Sequence, residues 1–183
     1  LAAAHCGKLM AGFGADVLQL PVAGPGFTLT EDEHHWHHTG KRRLSLSFDT
    51  ASDLNTLRQL AAEADVILDG AGYDFLHGKG LSAALLQQQN PRTVLCQITP
   101  FGQTGPWRAL PASDLTLYAL SGLMHSTGSG SREPLHARPR IVELTGGMNA
   151  FIACLTALLR REREEVRRLS RAATETLAAK PVV

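Results

Sequence analysis

Aromatic residues make up only 5% of this 183-residue chain, and neither charge sign dominates: 18 Lys and Arg stand against 17 Asp and Glu, for a formal net charge of +1. Few aromatics means no stacking platform for single-stranded nucleic acid. Balanced charge means no cationic field to draw a polyanion or an anionic membrane surface. Cysteine is scarce as well. Cys6, Cys96 and Cys154 are far apart, odd in number and without a CxxC spacing, which excludes a disulfide framework or zinc module and fits a reduced, cytoplasmic protein. No apolar run reaches the roughly 20 residues of a membrane span. The first eight residues, Leu1 to Lys8, lack a basic n-region and an initiator Met, so they read as internal sequence rather than a signal peptide. A dinucleotide fingerprint is missing too. Gly12-Phe13-Gly14 follows a predicted helix instead of a strand, and the stretch from Gly72 to Lys79 is one residue too long for a phosphate loop, with Gly80 where Ser or Thr belongs.

What is present is an ordinary globular composition, 44% hydrophobic and 19% charged, enough for one domain or part of a larger one. Residues 2–12 suit a short helix ended by Gly12-Phe13-Gly14. Residues 15–20 read as a strand stopped by Pro21, and 23–26 as a loop. Thr30 to Glu33 has the form of a capping box, predicting a helix through His38. Leu44, Leu46 and Phe48 alternate as on a strand. Ser52-Asp53 is placed to cap a helix with Leu54, Leu57, Leu60 and Ala61 at helical spacing. Residues 65–69 read as a buried strand broken by Gly70-Ala71-Gly72, and 81–89 as a helix. A second buried strand at 93–99 runs into a glycine-punctuated loop at 100–107 and an amphipathic helix at 114–124. A long helix is expected from Met148 through Arg161, with 163–183 as a separate charged tail carrying a thin stripe at Leu169, Ala172, Ala173 and Leu177. Helices alternating with strands imply an α/β domain with a largely parallel sheet, flanked by helices and ending in a long helix. Ligands bind such sheets at the carboxyl ends of the strands, which makes the 100–107 loop the first place to look.

Several groups could carry chemistry there. His34, His35, His37 and His38 have helical spacing suited to a metal, but no Cys completes a site and a solvated helix face explains them. Lys41, Arg42 and Arg43 form a cluster that would attract an anion. His125 follows a helix predicted to reach the ligand edge. Glu143 interrupts an apolar run that would suit a strand, Ile141-Val142-x-Leu144, just before Gly146-Gly147 at an expected helix start. A carboxylate there either complements a helix dipole or is a poised nucleophile or base.

Taken together, the segments resemble the family III CoA-transferases (CaiB/BaiF type), which include formyl-CoA transferase, carnitine CoA-transferase and α-methylacyl-CoA racemase. The matching text is Cys6 to Met10 with Gly14 to Val17, Gly40-Lys41-Arg42, Leu60 to Val66, Asn90-Pro91-Arg92, Phe101 to Pro106, Asp114-Leu115 and Ala119 to Met124. The resemblance implies a Rossmann-like portion over 1–162, members about twice this long, and an intertwined dimer or pairing with a second half. It implies a coenzyme A thioester and a small carboxylic acid as substrates, with no permanently bound cofactor. By position it casts Glu143 in the role of the family's acyl-accepting aspartate, and Gly102, Gln103, Thr104, Gly105, Lys41, Arg42 and Ala71 as the CoA contacts. The racemase branch offers His125 with Glu143 as an acid/base pair across an α-carbon. A non-catalytic half that keeps the fold for assembly is the third expectation.

Overall fold

The computed structural model describes residues 1–22, 29–138 and 140–178, with side chains through residue 167; the loop expected at 23–26 lies outside the described residues, as do the side chains of the stripe at Leu169, Ala172, Ala173 and Leu177. In chain order the elements are α1 (Ala2–Gly12), β1 (Leu18–Gln19), α2 (Glu31–His38), β2 (Arg42–Arg43), α3 (Ala51–Glu63) and β3 (Val66–Asp69). There follow α4 (Phe75–Gly78), α5 (Ala83–Gln89), β4 (Val94–Gln97), α6 (Asp114–Leu120), α7 (Leu123–Ser126) and α8 (Ile141–Ala178).

The strands form two parallel pairs, β1 with β2 and β3 with β4, the latter in register from Val66↔Val94 to Asp69↔Gln97. Successive side chains of a strand point to opposite faces, so β3 and β4 serve two cores at once. Ile67 and Leu95 face a cluster of Leu57, Ala61, Leu76, Leu81 and Leu86 from α3, α4, the turn after it and α5. Val66, Leu68, Cys96 and Ile98 face Cys6 and Met10 of α1 with Ala150 and Cys154 of α8. The result is a three-layer α/β arrangement with helices on both faces of the strand pair, which requires the apolar character of both strands.

Helix α1 and helix α8 approach so closely that only glycine fits between them. A Cβ at Gly147 would lie 2.6 Å from the Ala2 carbonyl oxygen and 2.9 Å from the His5 Cβ. Gly70, at the end of β3, meets α1 the same way, its Cβ position 2.6 Å from the Ala3 Cβ. The far part of α8 is tied to the strand pair by Arg161, which pairs with Asp65 at 2.9 Å and donates to the Arg92 carbonyl, and by Arg92 with Glu165. The opposite side of α8 exposes Met148, Ile152, Leu155, Leu159 and Val166 at a 3–4 spacing.

Several expectations are corrected. The strand expected over Leu44, Leu46 and Phe48 is replaced by β2 at Arg42–Arg43, because Leu46 and Phe48 instead turn onto the α3–α5 cluster, Phe48 edge-on to Phe75. The cap of α3 is the Thr50 hydroxyl, which accepts the Asp53 N–H; the Asp53 carboxylate accepts the Ser47 N–H instead. The 114–124 helix breaks at Gly122, whose φ of +79° ends α6 and starts α7. Ile141 to Leu144 is the first turn of α8 rather than a strand, and α8 continues without a break past residue 162. Its segment Ile141–Arg167 is, by length and composition alone, apolar enough to cross a membrane, which the search for an unbroken apolar run missed.

Replacing Gly147 with Ala should lower stability by about 1–3 kcal/mol, because the overpacking penalty outweighs the ~1 kcal/mol of helix propensity that Ala brings. Thermal melts of Gly147→Ala beside the exposed control Gly12→Ala, which has open space at its Cβ, measure it.

Candidate active site

Two places collect the expected residues. The first is the carboxyl edge of β3 and β4, where a cavity of about 220 Å³ is lined by Tyr73, Asp74, His77, Ser82, Gln97 and Gln103 among others. That is below the roughly 300 Å³ at which pockets for whole drug-sized ligands begin, so it suits one portion of a larger molecule. Asp69 is buried beneath it and accepts from the Ala71 N–H at 3.1 Å and from Gln97 Nε2 at 3.1 Å, which fixes the turn bearing Ala71. The loop carrying Gly102, Gln103, Thr104 and Gly105 lies over this edge. Gly102 and Gly105 have φ of +80° and +87°, so the loop reverses twice in a conformation that L side chains resist. It is anchored by Arg108, which donates to the Tyr73 hydroxyl at 2.8 Å and to the Gly105 carbonyl at 3.1 Å. Gln103 Nε2 is buried without a hydrogen-bond partner, the kind of orphan donor that marks a ligand position.

The second place is the first turn of α8. Glu143 is half-buried there, and its Oε2 is buried without a hydrogen-bond partner. The turn is held from α6 by Asp114, 8% exposed, whose Oδ1 accepts from Val142 N–H at 3.1 Å and Glu143 N–H at 3.4 Å. Its Oδ2 accepts from Arg140 N–H at 2.9 Å and lies 3.4 Å from His136 Nε2. Arg140 in turn pairs with Glu33 of α2 at 3.0 Å. Burial raises the Glu143 pKa above the ordinary carboxylate value, reinforced by Asp114 and Glu33 and opposed by Arg140. Gly146 and Gly147, expected to open the helix, lie one turn further in and serve the contact with α1.

The remaining expected residues scatter. Lys41 is half-buried against α1, donating to the Ala4 carbonyl at 2.6 Å, and burial, with Lys8 second, lowers its pKa to about 8. Arg42 is exposed and forms a two-point pair with Asp16. His125 is exposed on α7, and no hydrogen bond joins it to Glu143. The histidine face expected to be solvated is only partly so: His37 is 4% exposed and packs edge-on to His5, itself stacked on Trp36. Asp114, Arg140 and His136 are the residues that sequence reasoning left unassigned at Glu143. Asp114 reads locally as a first-turn acid of α6, and nothing in a linear text signals partners 26 to 29 residues away.

With that arrangement in view, the family model described as CoA-transferase family III matches residues 1–173. The chain belongs to CoA-transferase family III. It is 31% identical to the succinyl-CoA:(R)-benzylsuccinate CoA-transferase subunit BbsE of Thauera aromatica over 84% of this chain and 42% of that protein. It is 26% identical to the α-methylacyl-CoA racemase of Mus musculus over 86% of this chain and 40% of that one. A crystal structure of a CAIB/BAIF family protein from Brucella suis superposes with a TM-score of 0.78 at 30% identity, covering 90% of this chain and 47% of that chain. The chain thus spans less than half the length of these family members.

Two pH effects follow for this family III chain. With its pKa raised by folding, Glu143 costs stability as pH rises above the unfolded carboxylate value near 4.3, where the unfolded state ionises first. Glu143→Gln should therefore melt higher than the parent at pH 7–8, with the gap closing toward pH 4. Burial lowers both His37 and His38 to about 4, so they contribute stability above pH ~6.5 that is lost as pH falls toward 4. Melts of the parent across that window should show the decline, and His37→Asn should flatten it.

Proposed function

We propose that this chain carries the acyl-accepting half of a CoA-transferase that moves CoA from an acyl-CoA to a small carboxylic acid, with Glu143 as the nucleophile. The observation that carries the reading is the Glu143 carboxyl itself: half-buried, one oxygen unpartnered, on a helix turn fixed by an unusually buried cap. A carboxylate withdrawn from water is a stronger nucleophile once ionised, because little solvation must be stripped before attack. In the step envisaged, a Glu143 oxygen attacks the thioester carbonyl carbon, the C–S bond breaks, and CoA leaves as the thiolate with the electron pair. The thiolate then attacks the Glu143 carbonyl of the mixed anhydride, expelling the first acid as its carboxylate and leaving a Glu143–CoA thioester. The second carboxylate attacks that thioester and displaces the thiolate, which finally takes the new acyl group from the second anhydride and frees the Glu143 carboxylate.

The other assignments follow from this. Backbone N–H groups of the Gly102 to Gly105 turn and Gln103 Nε2 are donors suited to a developing oxyanion. Ala71, with the cavity beside Gln103, borders the place for part of the CoA. Lys41 and Arg42 supply cations for its phosphates, Arg42 by exchanging its partner Asp16. The reading includes a homodimer or a pairing with a second CoA-transferase half, no tightly held cofactor, and a reducing cytoplasmic setting consistent with three free thiols. Similarity to the racemase keeps an α-epimerase reading with His125 and Glu143 in play, and exchange of α-deuterium without an acyl acceptor would favour it.

Incubating the full-length protein with labelled acyl-CoA and hydroxylamine should trap a hydroxamate on residue 143, read by peptide mass spectrometry. Glu143→Gln should abolish the adduct and cut turnover by about 10⁴-fold or more. No adduct at saturating acyl-CoA would sink the transferase assignment.

A further inference from the structure

We propose that Asp114 is a positioning residue for the Glu143 reaction: by gripping the first turn of α8 it sets the direction from which the carboxylate meets the thioester. The inference rests on the reading of Glu143 given above. Asp114 is not occupied with its own helix. The free N–H of Thr116 in α6 is already met by the Ser113 hydroxyl at 3.2 Å, so the Asp114 carboxylate is turned across to α8. There it takes three backbone N–H groups, those of Arg140, Val142 and Glu143. Helix caps are ordinarily supplied by the residue just before the helix; here the cap is contributed by another element, so the orientation of Glu143 depends on where α6 sits.

The turn it grips is strained. Arg140 has φ of +69°, the left-handed region that a side chain with a Cβ resists by about 1–2 kcal/mol. It is held there by Asp114 on its N–H and by Glu33 on its guanidinium. His136 closes the other side of Asp114, its ring edge-on to Tyr118. Without this support the turn has a lower-energy backbone to relax into, and a displacement near 1 Å costs on the order of 10² in rate. The charged side chains facing Glu143 are Asp114 from α6, Arg140 at its own base and Glu33 from α2. Of the two like charges in this set, Asp114 is the one that also holds the backbone, so its removal changes position and charge together.

The test measures hydroxamate formation at residue 143 in the full-length protein against acyl-CoA concentration and pH, for the parent, Asp114→Asn and His136→Gln. Asp114→Asn should lower the rate at saturation by about 30- to 100-fold, leave half-saturation within about threefold, and move the acid limb of the pH profile to lower pH. The last shift is the effect of losing a negative neighbour, and a cap that matters only for folding would not produce it. His136→Gln should lower the rate in the same direction by a smaller factor. A normal rate and an unmoved acid limb in Asp114→Asn overturn the proposal while leaving Glu143 as nucleophile. Should Asp114→Asn fail to fold, an unchanged rate in His136→Gln overturns it. If the parent itself gives no adduct, the assignment of Glu143 fails and the proposal fails with it.

Discussion

The contact of α1 with α8 at Gly147 is the constraint on which the rest of the structure depends. Because the Ala2 carbonyl oxygen lies 2.6 Å from where a Cβ at Gly147 would be, the two helices meet there main chain to main chain instead of side chain to side chain. That closeness lets Cys6 and Cys154, small residues of α1 and α8, fill the space beneath the strands with almost no exposure. Gly70 lets the same helix touch the end of β3. The first turn of α1 therefore meets both the end of β3, at Ala3, and the second turn of α8, at Ala2 and His5.

Around Glu143 the chain has gathered an electrostatic conflict. Two carboxyl groups, Asp114 and Glu143, sit close together and largely out of water, which disfavours ionising both. Asp114 accepts from three amides and lies beside His136; Glu143 has one oxygen without a hydrogen-bond partner and is offset through space by Arg140. Burial thus raises the Glu143 pKa despite the opposing charge of Arg140. Structural carboxylates are normally satisfied, and a chain selected only for stability would place an apolar side chain at this position. Membership of CoA-transferase family III gives that conflict a chemical context.

Much of this was legible in the sequence where local rules decide. The capping box at Thr30 and Glu33, the α/β class, the break at Gly70 and the presence of the two strands follow from short-range periodicity and turn chemistry and appear in the structure, although the strands expected to be buried are half-buried except at Asp69. Where strands were expected at 44–48 and 141–144, tertiary contact overrides a local pattern; the cap of α3 at Thr50 and the break at Gly122 are local. Alternation at Leu44, Leu46 and Phe48 looks like a strand but arises from side chains dropping onto a helical cluster. An acidic residue in an apolar run looked like an interrupted strand until Asp114 supplied the cap that makes it helical. Pairings across 22 to 29 residues leave no trace in spacing, which is why spacing assigns no role to Asp114, Arg140 and His136. The glycine pair 146–147 was noticed for the wrong reason: helix packing needs it, not a helix start.

The three thiols have a use in the laboratory that their chemistry in the cell does not require. Cys6 and Cys154 lie sealed between α1 and α8, while Cys96 is reachable in part from its strand. A maleimide or iodoacetamide reagent can modify the first two only after α1 has lifted away, so their alkylation rate clocks that opening event directly.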